Sequence, residues 1–141
     1  MSLSARTQYA VLATLQLAQE FAAGEPVQVR RIAQRQGLPA TFLVQILHEL
    51  RRAGLVASTR GAAGGYRLSR APESITLADV VDACEATEEP AACAATDSPW
   101  GPALLEVCCE LARTRRDRLQ AVTLADLAER TTIGAGPMWY I

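Results

Sequence analysis

From Ser4 onward, apolar residues recur three and four apart at Tyr9, Leu12, Ala13 and Leu17, with Val11, Leu15 and Ala18 widening the stripe. This pattern predicts a largely buried first helix, capped by Ser4 and closed before Gly24. Residues 25–29 include Pro26 and are predicted to pair only briefly as a strand. A second helix is expected over about 29–36, with Ile32 and Ala33 inward and Gly37 as its stop. Leu38 and Pro39 lead into a third helix, where Phe42, Leu43, Ile46, Leu47, Leu50 and Ala53 share the apolar face and Gly54 ends it. His48 lies beside that face and reads as a structural residue. Two short helices around Gly37-Leu38-Pro39 have the layout of a helix-turn-helix. Residues 55–59, the Gly-rich reversal at 60–65 and the alternating segment 66–69 then read as a β-hairpin. A helix-turn-helix followed by a hairpin is a winged helix.

Beyond Pro72 the pattern changes. Ile75-Thr76-Leu77-Ala78-Asp79-Val80 places a Thr cap before an acid at the third helical position, and Val122-Thr123-Leu124-Ala125-Asp126-Leu127 repeats the arrangement. Because both copies open a helix, T-L-A-D is read as capping chemistry and not as a catalytic motif. Between them come an Ala-, Glu- and Pro-rich loop and a long helix over about 102–119. On it Leu104, Cys108, Leu111 and Leu119 fall to one side, with Val107, Ala112 and Arg115 nearby. That stripe exceeds what so short a chain can cover by itself and predicts dimerisation. The fold class expected is mainly α with a small β-hairpin: a winged helix-turn-helix plus a long dimerisation helix. Residues 1–71 form the reading region and 72–141 the dimerisation and signalling region, within one compact chain.

Charge sharpens this division. The 141 residues carry a net charge of −1, and all fourteen basic residues are Arg. Residues 1–71 hold nine Arg against Glu20, Glu25 and Glu49, a net of +6, whereas 72–141 hold five Arg against twelve acids, a net of −7. A basic half faces a polyanion more readily than an acidic one. An α-helix fits the major groove of DNA, and an Arg-bearing wing reaches the minor groove. Thr41 and Gln45 on the third helix are therefore the candidate base or phosphate contacts, and Arg60 is the minor-groove candidate. Arg6, Arg30, Arg31, Arg51 and Arg52 are candidates for phosphate. Gly64 and Gly65 are candidates for close backbone approach. The competing reading is a winged helix that binds protein and never touches DNA. No Ser-His-Asp set, phosphate loop or HExxH occurs, which argues against an enzyme.

No apolar run reaches the roughly 18 residues of a membrane span, and residues 1–9 lack a signal-peptide layout, so a cytoplasmic location is expected. The cysteines, Cys84, Cys93, Cys108 and Cys109, match no zinc spacing. Cys84 and Cys108 read as small buried hydrophobes, and Cys93, in the loop, is the one candidate for redox or metal chemistry.

Tyr9-Ala10, Ile32-Ala33, Gly37-Leu38, Phe42-Leu43 and Ile46-Leu47 lead to Leu50-Arg51-Arg52-Ala53-Gly54-Leu55-Val56. Together with Arg60-Gly61-Ala62-Ala63-Gly64-Gly65-Tyr66-Arg67-Leu68, they closely resemble the Rrf-type winged-helix regulators over residues 1 to about 85. That family includes an iron-sulfur regulator, a nitric-oxide sensor and a cysteine-metabolism repressor. The resemblance implies a homodimeric repressor reading a palindromic operator. Val44 stands where the iron-sulfur regulator has an acid. Cluster-binding members carry three Cys at close spacing before the long helix; here that loop offers Cys93 alone, with Pro102 and Leu105 at the positions of a ligand Cys and a ligand His. The chain therefore resembles the cluster-free cysteine-repressor branch, which implies no cofactor and a role in sulfur or cysteine metabolism, with a redox or iron-sulfur sensor as the alternative. Those repressors partner O-acetylserine (thiol)-lyase, which captures peptides ending in Ile. Trp139, Tyr140 and Ile141 are accordingly either a partner-binding tail or a cover for the protein's own surface.

Overall fold

In the computed structural model, which describes residues 3–85 and 97–134, helix α1 (Ala5–Gln19) opens where Ser4 Oγ accepts from the Thr7 N–H at 3.2 Å. A 3-10 turn, Phe21–Ala23, follows and ends on Gly24 at φ +71°. Helices α2 (Val29–Gln36) and α3 (Ala40–Arg52) are separated by Gly37 at φ +67°, a left-handed position that favours glycine. Strands β1 (Val56–Thr59) and β2 (Gly65–Leu68) pair antiparallel, with Val56 opposite Leu68 and Thr59 opposite Gly65. The expected brief pairing near Pro26 is present: Val27 and Tyr66 exchange two backbone hydrogen bonds of 2.8 Å. Helices α4 (Leu77–Cys84), α5 (Gly101–Gln120) and α6 (Leu124–Gly134) complete the fold. No helix among the described residues is long and apolar enough to cross a membrane.

The buried face of α1 differs from the predicted stripe. Ala10, Ala13 and Leu17 are inside as expected, but Thr7, Thr14 and Gln16 join them, while Leu12 is exposed. Helical geometry hides the hydroxyls without a penalty, because each has an acceptor. Thr14 donates to the Ala10 carbonyl at 3.0 Å, and Thr7 donates to Glu85 Oε1 at 2.8 Å.

Leu43, Ile46, Leu47 and Leu50 of α3 are completely buried, in one cluster with Leu17, Ile32, Val56, Leu68, Ile75, Val80 and Leu124. Residues on both sides of the charge boundary share this core. The boundary near residue 71 divides electrostatics and does not divide packing.

The repeated T-L-A-D segments are caps, and they also meet. Thr76 Oγ1 accepts from the Asp79 N–H while Asp79 accepts from the Thr76 N–H, and Thr123 and Asp126 do the same. The two starts then pair directly: the Leu77 N–H donates to the Val122 carbonyl and the Leu124 N–H to the Ile75 carbonyl, both at 2.9 Å. A motif that repeats in sequence becomes a clasp between α4 and α6.

Helix α5 behaves differently from the rest. Gly101 is its one buried residue, and Leu104, Val107 and Leu111 are 50–57% exposed. Leu119, grouped with them on sequence, is half-buried in its own chain. Cys84 is half-buried, but the expectation of a buried Cys108 is overturned, since that thiol lies on the exposed side of α5 beside Leu104 and Leu111. An apolar stripe on a helix seen in isolation does not reveal which part its own chain covers. Cys93 and the tail residues Trp139, Tyr140 and Ile141 lie outside the described residues.

Candidate nucleic-acid interface

With Leu43, Ile46, Leu47 and Leu50 anchored in the core, the opposite face of α3 presents Ala40, Thr41, Val44, Gln45, His48, Arg51 and Arg52, all exposed. Thr41 and Gln45 are therefore on the outward face, as predicted. His48 belongs to it as well, so its reading as a structural residue does not hold. In sequence His48 is flanked by buried Leu47 and by Glu49, and only the 100° step of the helix, fixed by the core contacts, shows that it points outward.

The basic residues divide into two groups. Arg6 is tied down: its guanidinium holds the Glu49 carboxylate through two groups and lies 5.5 Å from the centre of the Phe42 ring, which in turn meets Tyr9 edge-on at 5.8 Å. Arg31 pairs with Glu20 at 2.6 Å while remaining largely exposed. These two predicted phosphate contacts are occupied inside the chain, and they neutralise two of the three acids of the basic half. Arg30, Arg51, Arg52, Arg60 and Arg67 are exposed and, among the described residues, make no ion pair. Internal pairing thus leaves the reading half as a set of uncommitted guanidinium groups over the helix-turn-helix and the wing.

The wing is held in place by its own backbone. Gly64 is buried, and a Cβ there would come within 2.2 Å of the Thr59 carbonyl oxygen; at Gly65, with φ +153°, it would meet the Val27 carbonyl at 2.3 Å. The two glycines predicted to approach DNA therefore serve close approach within the protein, closing the hairpin and seating it on residue 27. Gln28, the residue before α2, adds a strap: its Nε2 donates to the Ala62 carbonyl in the wing loop at 3.0 Å. Sequence reading missed Gln28, because no local signal links it to a residue 34 positions away. Arg60 projects from the loop that this strap and these glycines position.

At the other end of the head, Glu85 joins three elements. It accepts from Thr7 Oγ1, from the Ser4 N–H at 3.3 Å and from Arg115 of α5 at 3.2 Å. Burial pushes its carboxyl pKa up, but these hydrogen bonds outweigh that and hold it below the usual glutamate range. Beside it, burial and then the Glu49 charge push the Cys84 thiol up to about 11.

The chain matches the model of the family described as Rrf2, iron-dependent transcriptional regulator, over residues 3–130. It is 37% identical over 133 residues to protein rrf2 of Nitratidesulfovibrio vulgaris, covering 90% of this chain and 87% of that one. It is 33% identical over 131 residues to the transcriptional regulator CymR of Bacillus subtilis, covering 93% and 92%. Among solved structures, the fold is similar to IscR of T. potens, with TM-score 0.78, 32% identity and coverage of 99% of this chain and 95% of that one. It is also similar to the structure of CymR, the global cysteine regulator of B. subtilis, with TM-score 0.76, 30% identity and coverage of 92% and 98%.

The family description implies iron, and the described residues do not fit an iron site. Among them no three His, Cys, Asp or Glu side chains gather round one point. Cys108 and Cys109 diverge by about 100° as consecutive residues of α5, and Cys84 stands on a different helix, α4. On the fold, the hairpin and the similarity across nearly its whole length, the chain belongs to the Rrf2 family of winged-helix transcriptional regulators.

Proposed function

We propose that the protein is a homodimeric repressor that reads a palindromic operator, with α3 of each copy in the major groove and the Arg60 wing in the adjoining minor groove. The observation that carries this reading is the pairing pattern of the head. Its acids Glu20 and Glu49 are spent on Arg31 and Arg6, which leaves exposed arginines around an α3 face whose reverse side is rigidly buried. An adaptor surface for protein has no need of so many uncompensated guanidinium groups, whereas each one near a phosphate releases a counterion.

The exposed Leu104, Val107 and Leu111 of α5 supply the surface for a second copy. Two heads on one frame then meet half-sites about one helical turn apart. Fluorescence anisotropy on a palindrome selected from random DNA, repeated across a salt series, tests the reading. Specific binding that weakens steeply with salt is expected. Absent or salt-insensitive binding would favour the protein adaptor instead.

The similarity to a global cysteine regulator supports genes of sulfur or cysteine metabolism as targets. In the same reading, the Tyr140-Ile141 end is offered to an O-acetylserine (thiol)-lyase. Calorimetry with and without Ile141 tests that step, and unchanged affinity would remove it.

A further inference from the structure

Glu25 is the acid of the basic half left over once Glu20 and Glu49 are paired; among the described residues it makes no ion pair. It lies on the wall of a cleft of about 410 Å³, which opens between the end of α1 with the turn that follows and the two strands of the hairpin. That volume is in the range of small-molecule sites, roughly 300–1,000 Å³. Leu17 and Leu68, both almost fully buried, form the floor, and Phe21, 37% exposed, forms the lip.

Charge is segregated across the cleft. Glu20 and Glu25 come from the α1 side, whereas Arg67 comes from β2 on the hairpin side. Arg67 is exposed and, among the described residues, makes no ion pair. Glu20 gives its Oε1 to Arg31, but its Oε2 is buried and has no hydrogen-bond partner among the described residues. A buried carboxylate oxygen without a donor is costly, so the acidic wall has an acceptor to spare. A ligand with positive charge alone is repelled by Arg67, and one with negative charge alone by the two acids. A zwitterion presents one charge to each wall, where charge-assisted hydrogen bonds can form, and the floor and lip accept an apolar group.

We infer that this cleft binds a free α-amino acid with an apolar side chain. Its ammonium faces Glu20 and Glu25, its carboxylate faces the Arg67 guanidinium, and its side chain lies over Leu17 and Leu68 beside Phe21. An occupant so placed spans α1 and β2 and braces the hairpin that carries the wing. The consequence for DNA binding rests on the operator reading, whereas occupancy itself does not.

Each common L-amino acid at about 10 mM is screened by thermal shift on the full chain, because a ligand that binds only the folded state raises Tm. Those with aliphatic or aromatic side chains are expected to raise it, and those with charged side chains are not. Calorimetry then compares L-leucine with 3-methylbutylamine, which lacks the carboxylate, and with 4-methylpentanoate, which lacks the ammonium. Each analogue is expected to bind at least about tenfold more weakly, since each forfeits one charged contact. Arg67→Ala should bring the affinity for L-leucine down to that of the amine, and Glu25→Gln should bring it down toward that of the acid. Both positions are exposed, melting of the unliganded variants checks the fold, and the analogue comparison on the parent chain needs neither variant. If no amino acid raises Tm, if either analogue binds as tightly as L-leucine, or if both variants bind L-leucine as the parent does, the inference is overturned. No DNA enters these titrations, so this inference and the operator reading fail separately.

Discussion

The reading head and helix α5 use similar apolar residues to opposite ends. In α3 the residues Leu43, Ile46, Leu47 and Leu50 are completely buried, whereas in α5 Leu104, Val107 and Leu111 are at least half exposed. The head is complete in one chain: its core is closed, its wing is seated on Val27, and two of its three acids, Glu20 and Glu49, are paired with arginines. Helix α5 is fastened to its own chain by ion pairs, Arg115 to Glu85 at 3.2 Å and Arg116 to Asp82 at 2.5 Å, and presents its apolar side outward. The head can therefore fold before it has a partner, while α5 has surface left over.

The largest effect that would break this comparison is on assembly. Leu111→Asp is expected to dissociate the dimer in sedimentation equilibrium and to weaken palindrome binding by more than about 100-fold, since one head then binds without the help of the other. It should leave the melting of the isolated chain nearly unchanged. The complementary change, Ile46→Ala in the closed head, should cost about 2–5 kcal/mol in urea unfolding. If Ile46→Ala were mild, or if Leu111→Asp unfolded the chain, the two regions would not differ as described.

At the wing, Arg60→Ala should weaken operator binding by about 1–3 kcal/mol. Gln28→Ala should weaken it by less, about 0.5–1.5 kcal/mol for a lost hydrogen bond. In the Arg60→Ala background the Gln28 effect should disappear, because Gln28 acts through the position of the wing; additive losses in gel shifts would show that it contacts DNA itself.

Smaller effects sharpen the junction between the two regions. The folded-state pKa of Glu85 lies below its unfolded value, so the unfolded chain binds the proton more readily. Its stabilising contribution is present above about pH 4.5 and is lost as pH falls through the lower folded value. Melting temperatures between pH 3 and 6 should show a shallower acid slope for Glu85→Gln than for the parent. Alkylation followed by mass spectrometry at about pH 8 should label exposed Cys108 well before Cys84, whose burial and raised pKa both slow it. The reverse order would contradict the packing of α4.

Local signals made most of the head legible. Gly37 at φ +67° closes α2 as a C-terminal glycine does, Pro39 precedes α3, and the glycines between Arg60 and Tyr66 mark the hairpin. The core of the α3 face, Leu43, Ile46, Leu47 and Leu50, followed from its 3.6-residue period, whereas Phe42 is half-buried and Ala53, at the helix end, is exposed. The dual roles were not legible. Arg6 and Arg30 look alike in sequence, yet one is paired with a Glu 43 positions away and the other makes no ion pair among the described residues. Gly64 and Gly65 announced a close approach without saying to what, and His48 could not be placed to one side of the apolar face from spacing alone.

By itself, then, the sequence determined the elements, their caps, the winged-helix order and the division of charge, because these depend on neighbours within a turn or two along the chain. Only the tertiary structure decided which arginines are paired within the chain, where the wing is fastened, that the two T-L-A-D caps clasp each other, and that the charge boundary runs through a single core. Those outcomes rest on contacts between residues tens of positions apart, and pairwise burial and ion pairing at such separations leave no periodic trace in the chain.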